Sequence, residues 1–341
     1  MKLFVTGAAG FIGSNYARWV LANSDHEITV FDKLTYAGNL DNLRDVIDDR
    51  RCRFVLGDIC DQDAVTEHMA GHDAVVHFAA ETHVDRSIAE PYAFVHTNTF
   101  GTNVLCDVAN RQGVERFLHI STDEVYGSIE HGSFSETDVL TPRSPYSAAK
   151  AGSDLIALSY FTTYGLPVVV TRCSNNYGPY QFPEKLVPLI IAKAVAGAPL
   201  PVYGDGLNVR DWLYVGDHCA AIRRVLEGGR AGEVYNIGGW NEKPNIEIVN
   251  TVCRLLDESR PRADGKPYSA QITYVTDRPG HDRRYAIDAR KVERELGWKP
   301  AETFESGIRK TIRWYLDHAD WVAGVQSGAY RQWVEKHYGA A

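Results

Sequence analysis

Two short stretches hold residues of the right type and spacing for chemistry. Tyr146 and Lys150 stand four apart, and on a helix that spacing puts a phenol and an ammonium on one face. A free tyrosine titrates near pH 10, and bringing it near 7 takes about 4 kcal/mol of selective stabilisation of the phenolate. The ammonium and an oxidised nicotinamide both carry positive charge that can supply it. The result is a base that removes a hydroxyl proton while hydride leaves the same carbon. The second stretch is Ser121-Thr-Asp-Glu-Val-Tyr-Gly127. Thr122 can polarise a reacting oxygen, and Asp123 and Glu124 can divide acid and base roles if their surroundings push their pKa values apart. An extended strand sends neighbouring side chains to opposite faces, so both acids reach one substrate only if the chain leaves the extended form there. Alone, the first stretch is ordinary helix packing and the second a solvated acidic turn. Their place in the pattern around them gives them weight.

That pattern starts at the N-terminus. Residues 2–6 (KLFVT) are a short β-prone run ending in Gly7-Ala-Ala-Gly-Phe-Ile-Gly13, followed by an amphipathic stretch to about Asn23. Strand, glycine turn and helix are the context of a dinucleotide site. Gly7 permits the tight turn, Gly10 lets backbone approach a pyrophosphate at the positive helix end, and Gly13 lets helix and strand pack closely. A second strand, 27–31, ends in Asp32, 19 residues past Gly13. A carboxylate there accepts from ribose hydroxyls and repels a 2′-phosphate, which favours NAD over NADP, with Lys33 tempering the preference slightly.

Further strands are expected at 53–56, 73–78, 116–120 and 167–171, with helices at 61–69, 91–112 and 145–164. Asp58 falls at the end of the third strand, where such sheets contact an adenine. Small residues after the fourth strand leave room for a cofactor, and Thr82 and His83 begin a loop that can face a substrate. Six strands alternating with helices predict an α/β fold, a doubly wound parallel Rossmann sheet whose ligands bind at the carboxyl strand ends. Beyond Arg172 the rhythm loosens. Helices are expected at 183–197, 246–258, 289–296 and 304–318, and short strands at 200–203, 233–237 and 271–275. We expect a Rossmann domain over 1–172 and a smaller, irregular α/β capping domain over 173–341, with some chain exchanged between them.

Composition narrows the partners. The chain has 341 residues, 44% of them hydrophobic, and a net charge of −8. It can bury a large core, and nucleic acid and membrane surfaces are poor partners for it. No run of about 18 apolar residues and no leader-like start occurs, so a cytoplasmic location is expected. Six cysteines and twelve histidines form neither a C-x-x-C pair nor an H-x-x-x-H pair on an expected helix, and no metal site is expected.

The glycine turn, the Thr122-Asp123-Glu124 stretch and the Tyr146–Lys150 pair resemble the extended short-chain dehydrogenase/reductases. Within them, Asp32-Lys-Leu-Thr-Tyr-Ala-Gly-Asn39, His83-Val-Asp-Arg-Ser87, Cys173-Ser-Asn-Asn-Tyr-Gly-Pro179, Arg210-Asp-Trp-Leu-Tyr214 and Asp277-Arg-Pro-Gly-His-Asp-Arg-Arg284 resemble the family of dehydratases acting on dTDP-glucose. The resemblance covers essentially the whole chain. Its most specific element is the Asp123-Glu124 pair, where epimerases of this kind usually carry small or hydroxyl residues. It implies that Tyr146, assisted by Lys150 and Thr122, oxidises C4 of the sugar with NAD, that Glu124 takes the C5 proton, and that Asp123 protonates the departing 6-hydroxyl. Implied cofactor contacts are Gly7, Gly10, Phe11, Ile12, Gly13, Asp32, Lys33, Leu34 and Thr35, with Asp58 and Ile59. Further implied contacts are Phe78, Ala79, Ala80, Glu81, Thr82, Thr97, Tyr146, Lys150 and Asn176. Implied substrate contacts are Thr82, Thr122, Asn175, Lys185, Leu186, Pro201, Val202, Tyr203, Arg210, Asn245, Asp277, Arg278, Pro279, Gly280 and His281. Arg210 is favoured for the diphosphate, because a guanidinium binds two oxygens at once. Tight retention of NAD and a homodimer through the helices at 91–112 and 145–164 are also implied.

The rivals are another NAD-dependent nucleotide-sugar dehydratase or an epimerase on the same scaffold, which has no use for both acids, and a non-catalytic NAD-binding sensor, which could dispense with Tyr146 and Lys150. A 2-hydroxy-acid dehydrogenase needs an arginine and histidine constellation that is not found.

Overall fold

A computed structural model describes residues 1–277 and 281–327. The apolar run after Lys2 forms β1 (Lys2–Thr6), the glycine turn leads into α1 (Phe11–Asn23), and β2 (Glu27–Asp32) follows. Next come β3 (Cys52–Leu56), α2 (Gln62–Met69), β4 (Ala74–His77) and α3 (Val84–Ala89). The long helix expected over 91–112 is α4 (Pro91–Phe94) passing through a wider π-type segment at Val95–Phe100 into α5 (Gly101–Gln112). Such widened turns place side chains that a regular helix would aim elsewhere, and Thr97 lies in it. After β5 (Arg116–Thr122) comes α6 (Pro145–Tyr164), opened by a Ser144–Ser147 capping box with Pro145 in its first turn.

β6 (Val168–Cys173) ends the regular alternation. The remainder runs β7 (Asn175–Tyr177), α7 (Leu186–Val195), β8 (Leu200–Tyr203), β9 (Val209–Tyr214), α8 (Val215–Gly228), β10 (Val234–Ile237) and β11 (Glu242–Pro244). It closes with α9 (Asn245–Ser259), β12 (Ile272–Val275), α10 (Arg290–Leu296), α11 (Phe304–Asp317) and α12 (Ala319–Ser327).

The large sheet is parallel, in the order β10-β6-β5-β4-β1-β2-β3. Its order reverses between β1 and β4, which opens a crevice at the carboxyl ends of those strands. Alternate strand residues feed two cores, Leu3, Val5 and Val76 on one face and Phe4, Val75 and Phe117 on the other. The later chain forms two small sheets, β11-β9-β7 and β12-β8, over a third core that includes Tyr177, Ile190, Val249 and Phe304.

Several elements, among them β7, β9, β11 and α12, have no counterpart in the expected pattern, and two further differences concern the large sheet. Residues 234–237 pair with β6 in the large sheet rather than in the small ones. α8 had no counterpart in the expected pattern; its buried Cys219, Ala221, Ile222 and Val225 join the same core as α1. Both return to the large sheet because its outer strand and one helical face would otherwise expose apolar surface. Among the described residues no helix is long and apolar enough to cross a membrane, and the six cysteines are unpaired.

Candidate active site

One cleft runs along the carboxyl ends of β1, β4, β5 and β6, from the glycine turn to Lys185. Gly7 sits at φ 73°, and a Cβ there would lie 2.5 Å from the Ala79 nitrogen; one on Gly13 would lie 2.6 Å from the Gly7 carbonyl. The turn is therefore as tight as a backbone pyrophosphate cradle requires. Gly10 stands at the N-cap of α1, which has no side-chain cap and no acid in its first turn, so its first N–H groups are left for an anion.

Asp32 is buried at the end of β2. Its Oδ2 accepts from the Ala9 amide at 2.9 Å and its Oδ1 from the Leu34 amide at 2.8 Å. Burial raises its pKa while those two bonds oppose the rise. Lys33 turns aside to pair with Asp58 at 2.6 Å, while Asp32 lines the cleft. A pyrophosphate cradle, an uncapped helix and a lone carboxylate fit a dinucleotide carrying no 2′-phosphate.

β5 ends at Thr122, and Asp123–Tyr126 winds into a short 3₁₀ helix, with the Thr122 Oγ1 accepting from the Glu124 amide at 3.2 Å. The chain thus leaves the extended form where it must, and Thr122, Asp123 and Glu124 all line the cleft. Asp123 is 3% exposed, and its buried Oδ2 has no hydrogen-bond partner. Burial, then the Glu124 and Asp211 charges, raise its pKa well above the ordinary carboxylate value. An unpartnered carboxyl oxygen of that kind favours the protonated acid.

Tyr146 and Lys150, in the first turns of α6, also line the cleft. Burial, followed by the nearby Glu124 charge, keeps the phenol well above its ordinary pKa, while a hydrogen bond with the Thr82 side chain opposes this. Lys150 donates from Nζ to the Ile120 carbonyl at 2.7 Å, which ties the helix to β5. Burial lowers its pKa to about 8, against the pull of Asp154. Asp154, one turn further on, is itself held by Arg172 at 2.9 Å and lies 3.2 Å from His119.

All the cofactor candidates lie on the cleft wall except Leu34, which is buried behind it at φ 57° and contributes its amide to Asp32. Of the substrate candidates, Thr82, Thr122, Asn175 and Lys185 line the cleft. Thr82 is fixed by the Tyr36 hydroxyl, which donates to its carbonyl, and Arg86 lies 3.8 Å over the Tyr36 ring. Leu186 and Asn245 open α7 and α9, and Pro201, Val202 and Tyr203 belong to β8. Tyr203 packs edge-on to His281, which pairs with Asp277 at 2.6 Å. Arg278, Pro279 and Gly280 lie outside the described residues. Arg210 does not line the cleft: it is 5% exposed, donates to the Asp282 carbonyl at 2.8 Å and lies 4.2 Å over the Tyr285 ring. Sequence reasoning did not single out Asn42, Tyr180, Gln181, Trp321 or Val325, yet they line the cleft; no local spacing marks them.

A doubly wound parallel sheet, a dinucleotide cradle and a tyrosine–lysine pair beside two acids define a dinucleotide-dependent enzyme with acid–base equipment beyond simple hydride transfer. The chain matches the family model described as GDP-mannose 4,6 dehydratase over residues 4–311. It is 56% identical to a dTDP-glucose 4,6-dehydratase of Xanthomonas campestris, covering 96% of each chain. It is 53% identical to the enzyme of that name from Salmonella typhimurium, covering 99% of each. A crystal structure of a Streptomyces venezuelae dTDP-glucose 4,6-dehydratase with NAD bound superposes with a TM-score of 0.90 at 50% identity, covering 95% of this chain and 100% of that one. The chain belongs to the dTDP-glucose 4,6-dehydratase family.

Proposed function

We propose that the protein is an NAD-dependent hydro-lyase that converts dTDP-glucose to dTDP-4-keto-6-deoxyglucose. The observation that carries the reading is the pair Asp123 and Glu124, brought into one cleft beside Tyr146 by the 3₁₀ turn, with Asp123 held as an acid. NAD, when bound, takes the hydride from C4 and returns it to C6. Tyr146 accepts the 4-hydroxyl proton, with the Lys150 ammonium offsetting the phenolate charge and Thr122 donating to the oxygen. The C4 ketone acidifies the C5 hydrogen. Glu124 then removes that proton while Asp123 donates its own to the leaving 6-hydroxyl, so the acid enters the step protonated and leaves it ionised. C5 is reprotonated as C6 is reduced.

On this reading NAD lies against the glycine turn, Asp32 and the strand ends, and the sugar lies at the Thr82–Thr122–Lys185 end of the cleft. We assign the protein to the cytoplasm, where unpaired cysteines persist. We also assign it a homodimer: Tyr92 (79% exposed), Tyr164 (61%) and Leu155 (60%) leave apolar surface uncovered on α4 and α6.

The test is incubation of purified protein with dTDP-glucose and no added nicotinamide, followed by mass spectrometry. Loss of one water at catalytic turnover is expected. No product even with NAD added would overturn the reading, and parallel reactions with UDP-glucose and GDP-mannose would show whether only the nucleotide was misassigned.

A further inference from the structure

α12 places Trp321 and Val325 in the wall of the same cleft that the glycine turn opens. The Trp321 Nε1 donates to the Asn42 Oδ1 at 2.9 Å, and the Asn42 Nδ2 donates to the Ala9 carbonyl at 2.8 Å. The Ala9 amide in turn donates to the Asp32 Oδ2 at 2.9 Å. Three hydrogen bonds therefore lead from α12, through the segment after β2, to the middle of the glycine turn and the Asp32 carboxylate. The arrangement is braced from behind. Arg18 of α1 donates to the Asn42 carbonyl and lies 3.9 Å from the centroid of the Tyr180 ring. That ring packs on Trp314 at 4.4 Å and Trp321 at 5.8 Å. Tyr180 adopts φ 66°, a backbone region that costs a non-glycine residue about 1 kcal/mol or more and persists only where packing imposes it.

A helix that merely covered the third core would have no need to bond an indole N–H to a segment that itself lines the ligand cleft. We propose that Trp321 and Val325 are NAD-binding residues, covering the adenosine side of the cofactor from α12 and slowing its release. The inference rests on the NAD reading above. An indole face and an isopropyl group supply no charge. They contribute van der Waals contact and exclude water from the ribose and phosphate contacts, which strengthens those contacts. Slow release fits the reaction, because a cofactor restored to its starting state within each turnover need not leave.

The test follows the cofactor itself. Protein stripped of NAD is reloaded with radiolabelled NAD, chased with excess unlabelled NAD, and sampled by rapid gel filtration. Trp321→Ala is expected to release label about tenfold faster than the parent, equivalent to one decade in affinity. Trp321→Phe, which keeps a ring and loses the N–H, and Val325→Ala are expected to fall between the two. Gln326→Ala, on the exposed side of α12, is expected to match the parent. If Trp321→Ala does not fold, Trp321→Phe and Val325→Ala carry the test by themselves. Parent-like release from every folded Trp321 and Val325 variant overturns the inference. A parent protein that never retains label overturns the NAD reading instead.

Discussion

Replacing Asp123 with Asn tests the central electrostatic argument by two independent measurements. Asn has the shape of a protonated Asp and leaves the same buried atom without a partner, so packing is nearly matched. The difference lies in the proton. Burial and the Glu124 and Asp211 charges raise the folded-state pKa of Asp123, whereas in the unfolded chain it titrates near 4. Between those two values the folded protein binds a proton that the unfolded chain does not, so parent stability falls as pH rises through that window. Asn takes no part in this. The variant should equal the parent below about pH 4 and then gain on it by up to about 1.4 kcal/mol per pH unit until pH passes the folded-state pKa. The assay is urea denaturation of NAD-free protein at intervals from acid to alkaline pH. Dehydration by the same variant should fall by about 10²- to 10⁴-fold, the usual contribution of a general acid. C4 oxidation, which does not use Asp123, should continue. A stability gap that does not widen with pH would refute the buried-acid argument, even if activity were lost.

Other perturbations probe the remaining parts of the site. Activity should decline as pH rises through about 8, where the Lys150 ammonium titrates, and Lys150→Met should lower kcat with little change in substrate affinity; a parent profile flat to pH 10 would count against a charged Lys150. Asp32→Ala removes the acceptor of the Ala9 and Leu34 amides and should weaken NAD binding at least tenfold, about 1.4 kcal/mol, while reducing the preference over NADP, read by calorimetry with both cofactors. Leu155→Asp, at a position 60% exposed on α6, should leave the monomer fold intact and shift sedimentation from dimer to monomer. An unchanged dimer would place the interface elsewhere.

The sequence by itself determined the parts of this protein whose logic is local. A strand, a glycine turn, a helix and a following acid lie within the first 32 residues, and a doubly wound parallel sheet follows from repeated strand–helix alternation. Tyr146 and Lys150 share a face because helical geometry requires it at that spacing. The difficulty with adjacent acids was also visible locally, as the need for a chain bend, although the 3₁₀ turn that meets it appears only in the structure. Tertiary structure decided what depends on residues far apart in the chain. It returned β10 and α8 to the large sheet, turned Arg210 toward the Asp282 carbonyl, and hung Lys150 on the Ile120 carbonyl. It brought Trp321 onto Asn42, 279 residues earlier. It also set the protonation of Asp123, because desolvation is a property of everything packed around a group, and no spacing along the chain encodes that.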